Sequence, residues 1–107
     1  MTAAAARTPY EHILVDEHGV PWIAEANTKV VELVAGVHAY GWSPEELAFQ
    51  HPHLTLGQIH SALAYYWDHR EEVDADLARR QELMGQMGEQ IERATLLARL
   101  ADRQRMR

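Results

Sequence analysis

Apolar positions change their period along this chain, and the changes mark out its elements. From Tyr10 to Val15 they alternate, with Ile13 and Val15 on one face and Tyr10, His12 and Leu14 on the other, the pattern of a half-buried strand. Asp16-Glu17-His18-Gly19 is turn chemistry, and Val20-Pro21-Trp22-Ile23-Ala24 returns as a short edge strand that tolerates its proline. A hairpin is predicted. Val30, Leu33, Val34 and Val37 then recur at helical spacing, with Asn27 or Thr28 as the cap and Gly41 as the stop. Two capping boxes follow, Ser43-Pro44-Glu45-Glu46 and Thr55-Leu56-Gly57-Gln58. In each the hydroxyl accepts from the N–H three residues on, while the Glu or Gln there reaches back to the cap residue's own N–H. Pro52 ends the first of these helices near Gln50. Ile59, Leu63, Leu47, Val34 and Trp42 form the predicted core, with Phe49 adding to it.

A helix of about two turns, a connection of about four residues and a second capped helix predict a helix-turn-helix. The third helix is longer than such a motif requires. Ile59, Leu63, Tyr66, Arg70, Val73, Leu77, Arg80, Met84, Met87 and Ile91 follow a 3,4 alternation, so Leu56 to Met84 reads as one helix, with a break at Gly85 and Gly88. Val73, Leu77 and Met84 then lie past the domain's own core and mark a homodimer seam. Residues 1–9 read as a disordered arm, 10–84 as the domain and 85–107 as a helical tail, amphipathic through Ile91, Leu96, Leu97 and Leu100. The expected fold is mainly α: an N-terminal β-hairpin, a three-helix helix-turn-helix core of homeodomain-like or winged-helix-like kind, and a long C-terminal helical extension.

Charge changes this picture. The 107 residues carry a net charge of −6. Five basic side chains face thirteen acidic ones over residues 1–88, whereas residues 89–107 hold five Arg against three acids. No Lys or Arg lies between Lys29 and Arg70, which is the whole helix-turn-helix. Phosphate neutralisation supplies most non-specific DNA affinity, so that element is a poor DNA binder by itself. Cysteine is absent, which excludes a disulfide framework, a thiolate metal site and a cysteine nucleophile and fits the cytoplasm. No stretch approaches the roughly 18 apolar residues of a membrane span, and the N-terminus has no signal-peptide core. His51, His53 and His60 lack a carboxylate or thiol completing a ligand pattern, so no metal or other cofactor is expected. Asp68-His69-Arg70-Glu71-Glu72 reads as a solvated face in which Arg70 attracts Asp74, so recognition is expected rather than catalysis. Tyr66 belongs to the apolar stripe; Tyr65 and Trp67 are open as interface residues.

Tyr10-Glu11-His12-Ile13, Gly19-Val20-Pro21-Trp22-Ile23-Ala24, Gly41-Trp42-Ser43-Pro44-Glu45-Glu46-Leu47, Pro52-His53-Leu54-Thr55-Leu56 and Ala62-Leu63-Ala64-Tyr65-Tyr66 occur in order. Together they resemble the domain-of-unknown-function 433 family over about Tyr10 to Leu77. Many members of that family resemble antitoxins encoded beside a PIN-like ribonuclease toxin. The resemblance therefore implies a VapB-type antitoxin or related regulator. Where many members carry Gly-Thr-Arg, this chain has Asn27-Thr28-Lys29; Asn tolerates the left-handed conformation and Lys keeps the charge without the guanidinium fork. On this reading Gln58, His60 and Ser61 face base edges, Arg7 and Lys29 contact phosphates, and a PIN-like toxin is the protein partner. Arg93, Leu96, Leu97, Arg99, Leu100, Arg103 and Arg105 would meet that toxin, the arginines neutralising its metal-holding carboxylates. The alternative is a protein-interaction module of the same fold that does not bind DNA.

Overall fold

The computed structural model describes residues 5–105, with side chains described through residue 103. Four strands precede four helices: β1 (Ala6–Arg7), β2 (Ile13–Val15), β3 (Pro21–Ile23), β4 (Thr28–Lys29), α1 (Val30–Tyr40), α2 (Pro44–Gln50), α3 (Leu56–Asp68) and α4 (Arg70–Arg105). The described chain is mainly helical. By internal contacts it divides into two units, Met1–Leu77 and Ala78–Arg107.

The strands form an antiparallel sheet in the order β1-β2-β3-β4. The expected hairpin is its centre, pairing Ile13 with Ile23 and Leu14 with Trp22. Two short strands extend it. Ala6 and Arg7 pair with Val15 and Leu14, so the arm expected to be disordered is ordered at β1, while residues 1–4 lie outside the described residues. The Thr8 hydroxyl fixes the next turn by donating 2.8 Å to the Ile13 carbonyl.

Thr28 was expected to start α1 but belongs to β4, opposite Ile23. Its buried hydroxyl donates to the Ala26 carbonyl at 3.0 Å, and the N-cap position falls to Lys29. The first helical residue is Val30, and Glu32 accepts from the Lys29 N–H at 2.8 Å. Asn27 takes a left-handed φ of 51°, as its place in the sequence allows. Gly41, at φ 67°, ends α1. Both capping boxes form: Ser43 Oγ accepts from the Glu46 N–H, and Thr55 Oγ1 from the Gln58 N–H.

Ile13 and Ile23 from the sheet, Leu33 and Val34 from α1, Leu47 from α2 and Ile59 from α3 form a closed core. Each such side chain contributes roughly 1.5–3 kcal/mol on burial. Leu63 and Trp42 pack at its margin. Phe49, assigned to this core from sequence, is 82% exposed. It lies two residues, about 200° of helix, beyond Leu47, so both cannot face inward.

The long third helix is interrupted at His69 rather than at the glycines. His69 has φ −124° and ψ 35°, and its N–H is shared between the Tyr65 and Tyr66 carbonyls at 3.0 and 3.1 Å. Its ring stacks on Tyr65 at 4.1 Å, and Tyr10 packs edge-on against Tyr65 while donating its hydroxyl to Asp68. The bend carries Val73 and Leu77 into the core at 4% and 7% exposure. Two of the three residues assigned to a dimer seam are thus covered by the chain itself; only Met84 is exposed. The first unit ends at Leu77.

α4 continues through Gly85 and Gly88. The helix cost of about 1 kcal/mol for each glycine is outweighed by the strong helix formers around them, Gln81-Glu82-Leu83-Met84 and Gln86-Met87. No helix among the described residues is long and apolar enough to cross a membrane.

Gly36 is where α1 lets Trp42 approach: an added Cβ would lie 2.7 Å from Trp42 Cε3. Although Ala is the better helix former by about 1 kcal/mol, Gly36→Ala is expected to destabilise the fold by about 1–3 kcal/mol through overpacking. Urea unfolding monitored by tryptophan fluorescence checks this.

Candidate nucleic-acid and partner interface

Gln58 sits at the third position of α3 because Thr55 caps that helix. Its side chain is occupied at both ends. Oε1 accepts from the Thr55 N–H at 2.9 Å, and Nε2 donates to the Ala24 carbonyl at 3.3 Å, tying α3 to the end of β3. Gln58, expected from sequence to contact base edges, therefore also serves as a structural cross-link. Neighbouring His60 is exposed and Ser61 half-buried.

The face of α3 that leaves the core carries Leu56, His60, Ala64 and Trp67, spaced by four, four and three residues. Leu56 is 44% and Trp67 60% exposed. No permanent cation stands on it. Arg70 lies nearby, but its guanidinium covers the Trp67 ring at 5.3 Å and its Nε pairs with Asp74 at 3.6 Å, the pairing expected from their spacing.

The two basic candidates sit elsewhere. Strand pairing sets Arg7 beside Leu14, Leu14 beside Trp22 and Trp22 beside Lys29, one row across the sheet. Paired residues point to the same side, so this row occupies the face opposite Ile13 and Ile23, which pack with Ile59 of α3. Arg7 and Lys29 therefore share a surface with each other and not with α3. With three strand spacings between them they stand about 14 Å apart. Lys29 lies 5.1 Å over the Trp22 ring, and Trp22 Nε1 donates to Asp16 Oδ2 at 2.9 Å. That bond, with the Val20 N–H next in strength, holds the Asp16 carboxyl below its ordinary value.

Three arrangements carry contacts that sequence reasoning missed. The Thr28 hydroxyl spends its single proton on Ala26, so His53 Nε2, at 2.9 Å, is the donor to it. The Tyr66 hydroxyl donates to Asp74 Oδ1 at 2.8 Å, and His38 Nε2 stands 2.9 Å from the same hydroxyl oxygen. Burial first, and Asp74 second, push the Tyr66 phenol above its usual range. Tyr10, hydrogen-bonded to Asp68, is raised as well. The short-range spacing of Arg70 and Asp74 was legible, but the partners brought in from α1 and the N-terminus had no sequence signal. Among the described residues no group of three His, Cys, Asp or Glu is placed to hold a metal.

In the second unit, Arg93, Leu96, Leu97, Arg99, Leu100 and Arg103 are all exposed on α4. At 100° per residue Arg93, Leu96, Leu100 and Arg103 share one face, two leucines between two arginines. The Arg105 side chain lies outside the described ones.

Residues 17–66 match the family model described as protein of unknown function (DUF433), which supports that family for this stretch. The match runs from the β2–β3 turn into the last turns of α3 and leaves α4 outside. No match is found among curated proteins or solved structures.

Two measurements check the site. Gln58→Ala is expected to lower stability by about 1–2 kcal/mol, through the lost cap and the lost tie to Ala24, in chemical denaturation. The Asp16 carboxyl is held below its ordinary value when folded, so its stabilisation is present above the unfolded pKa and is lost as pH falls through the folded pKa. The melting-temperature gap between wild type and Asp16→Ala is expected at pH 7 and should close on acidification.

Proposed function

We propose that the chain is an antitoxin-like small regulator of a toxin–antitoxin system, working in the cytoplasm through protein contact. Its partner on this reading is a PIN-like ribonuclease, taken up by the second unit. The supporting observation is the exposed face of Arg93, Leu96, Leu100 and Arg103, with Leu97 and Arg99 beside it. Apolar side chains flanked by guanidinium groups suit a surface rich in carboxylates, because Arg forms paired, charge-assisted hydrogen bonds with them. The match over residues 17–66 is to a family described as protein of unknown function and assigns no activity; the antitoxin reading rests on what the ordered blocks of resemblance imply.

In this proposal α2 and α3 act as a homeodomain-like helix-turn-helix, the chain is a homodimer, and operator DNA is a secondary ligand. The alternative, a protein-interaction module of the same scaffold without DNA binding, is favoured by one observation: Gln58 is engaged within the chain. The exposed apolar face of α3 and the remote position of Arg7 and Lys29 weigh the same way.

Co-purification with a PIN-like ribonuclease encoded beside this chain tests the proposal. Paired Arg93→Glu and Arg103→Glu substitutions are expected to weaken that binding at least about tenfold by reversing two interfacial charges. Unchanged affinity in the paired variant, or full toxin inhibition by a chain lacking residues 89–107, would rule out this surface. DNA binding, measured against salt, is expected to show a shallow slope that Arg7→Ala and Lys29→Ala flatten further.

A further inference from the structure

The other side of α4 carries a second pattern. Met84, Met87, Ile91, Ala94, Ala98 and Ala101 are spaced by three, four, three, four and three residues, and all are exposed. Met84, Met87 and Ile91 are 70%, 54% and 64% exposed. This spacing keeps one seam facing a neighbouring helix over about 26 Å. We propose that it is a self-association surface, and that its occupant is the same segment of a second copy of this chain, running antiparallel.

Side-chain size selects both partner and direction. The seam is bulky at its N-terminal end and consists of alanine at its C-terminal end. In a parallel pair Met would meet Met at one end and Ala would meet Ala at the other, and no single helix separation fits both, because that separation follows the side chains at the contact. In an antiparallel pair Met84 faces the partner copy's Ala101, Met87 its Ala98, and Ile91 its Ala94. Every layer then holds one larger and one smaller side chain.

Charge agrees with this arrangement. No charged residue interrupts the seam from Met84 to Ala101. Along its borders Gly88 falls beside the partner copy's Thr95 and Gln90 beside its Leu97, so no like charges meet. Gly88 has open space around it, which lets the second backbone approach. The seam is separate from the face of Arg93, Leu96, Leu100 and Arg103, and Leu97 alone borders both.

The test uses the full chain. Light scattering at about 100 µM is expected to give twice the mass of one chain, falling toward one chain on dilution, as suits a seam of only about two and a half heptads. Ile91→Glu should give single chains with unchanged helicity, whereas Leu96→Glu, on the other face, should leave the dimer intact. Direction is read by cross-linking, since the chain has no cysteine of its own. A mixture of Met87→Cys and Ala98→Cys chains should form disulfides at least about tenfold faster than either alone, because only facing positions satisfy the Cα separation a disulfide needs. A single-chain mass at about 100 µM, a dimer that survives Ile91→Glu, or faster cross-linking of Met87→Cys with itself would each overturn the proposal.

Discussion

The first unit is closed by the bend at His69. The helix is interrupted there, and Val73 and Leu77 beyond it are nearly fully buried in the core. The bend depends in turn on the chain's beginning. Tyr10 reaches across to Asp68 and packs against Tyr65, the ring on which His69 stacks. Residues 58 positions apart thus hold one backbone geometry, and the segment ahead of the hairpin is part of the helical core's support.

A second long-range tie runs through Gln58. Its amide completes a helix cap and also anchors the loop after β3, so the start of α3 is positioned by the sheet as well as by its own cap. The same side chain thus carries a structural duty that any surface role would have to share. The recognition proposed above is accordingly placed on other surfaces, the outward side chains of α3 and the two faces of α4.

What the sequence disclosed and what it hid divide along a physical line. Caps, stops and breakers act over three or four residues, and these were legible: Ser43, Thr55, Pro52 and Gly41 bound α1, α2 and the start of α3. The hairpin was legible for the same reason. The bend at His69 carries no glycine or proline, and only the distant Tyr10 completes its packing, so the unbroken 3,4 period through Val73 and Leu77 read as a straight helix. The two-residue strands β1 and β4 are too short to show a period. Phe49 is a different case, since its offset from Leu47 already placed it on the far side of a two-turn helix. Of the candidate site, the α4 residues were legible as an amphipathic pattern, whereas the separation of Arg7 and Lys29 from α3 depends on sheet register, which only pairing reveals.

The sheet has a further consequence for how the chain avoids unwanted polymerisation. Both of its borders, β1 and β4, are only two residues long, and each ends in a cation, Arg7 on one and Lys29 on the other. An incoming strand would find too few open backbone groups to nucleate on, and a positive charge beside them, which is how natural sheets block edge-to-edge growth. Amyloid-like stacking through the hairpin is thereby discouraged, which would leave the proposed pairing of chains to the helical surface of α4.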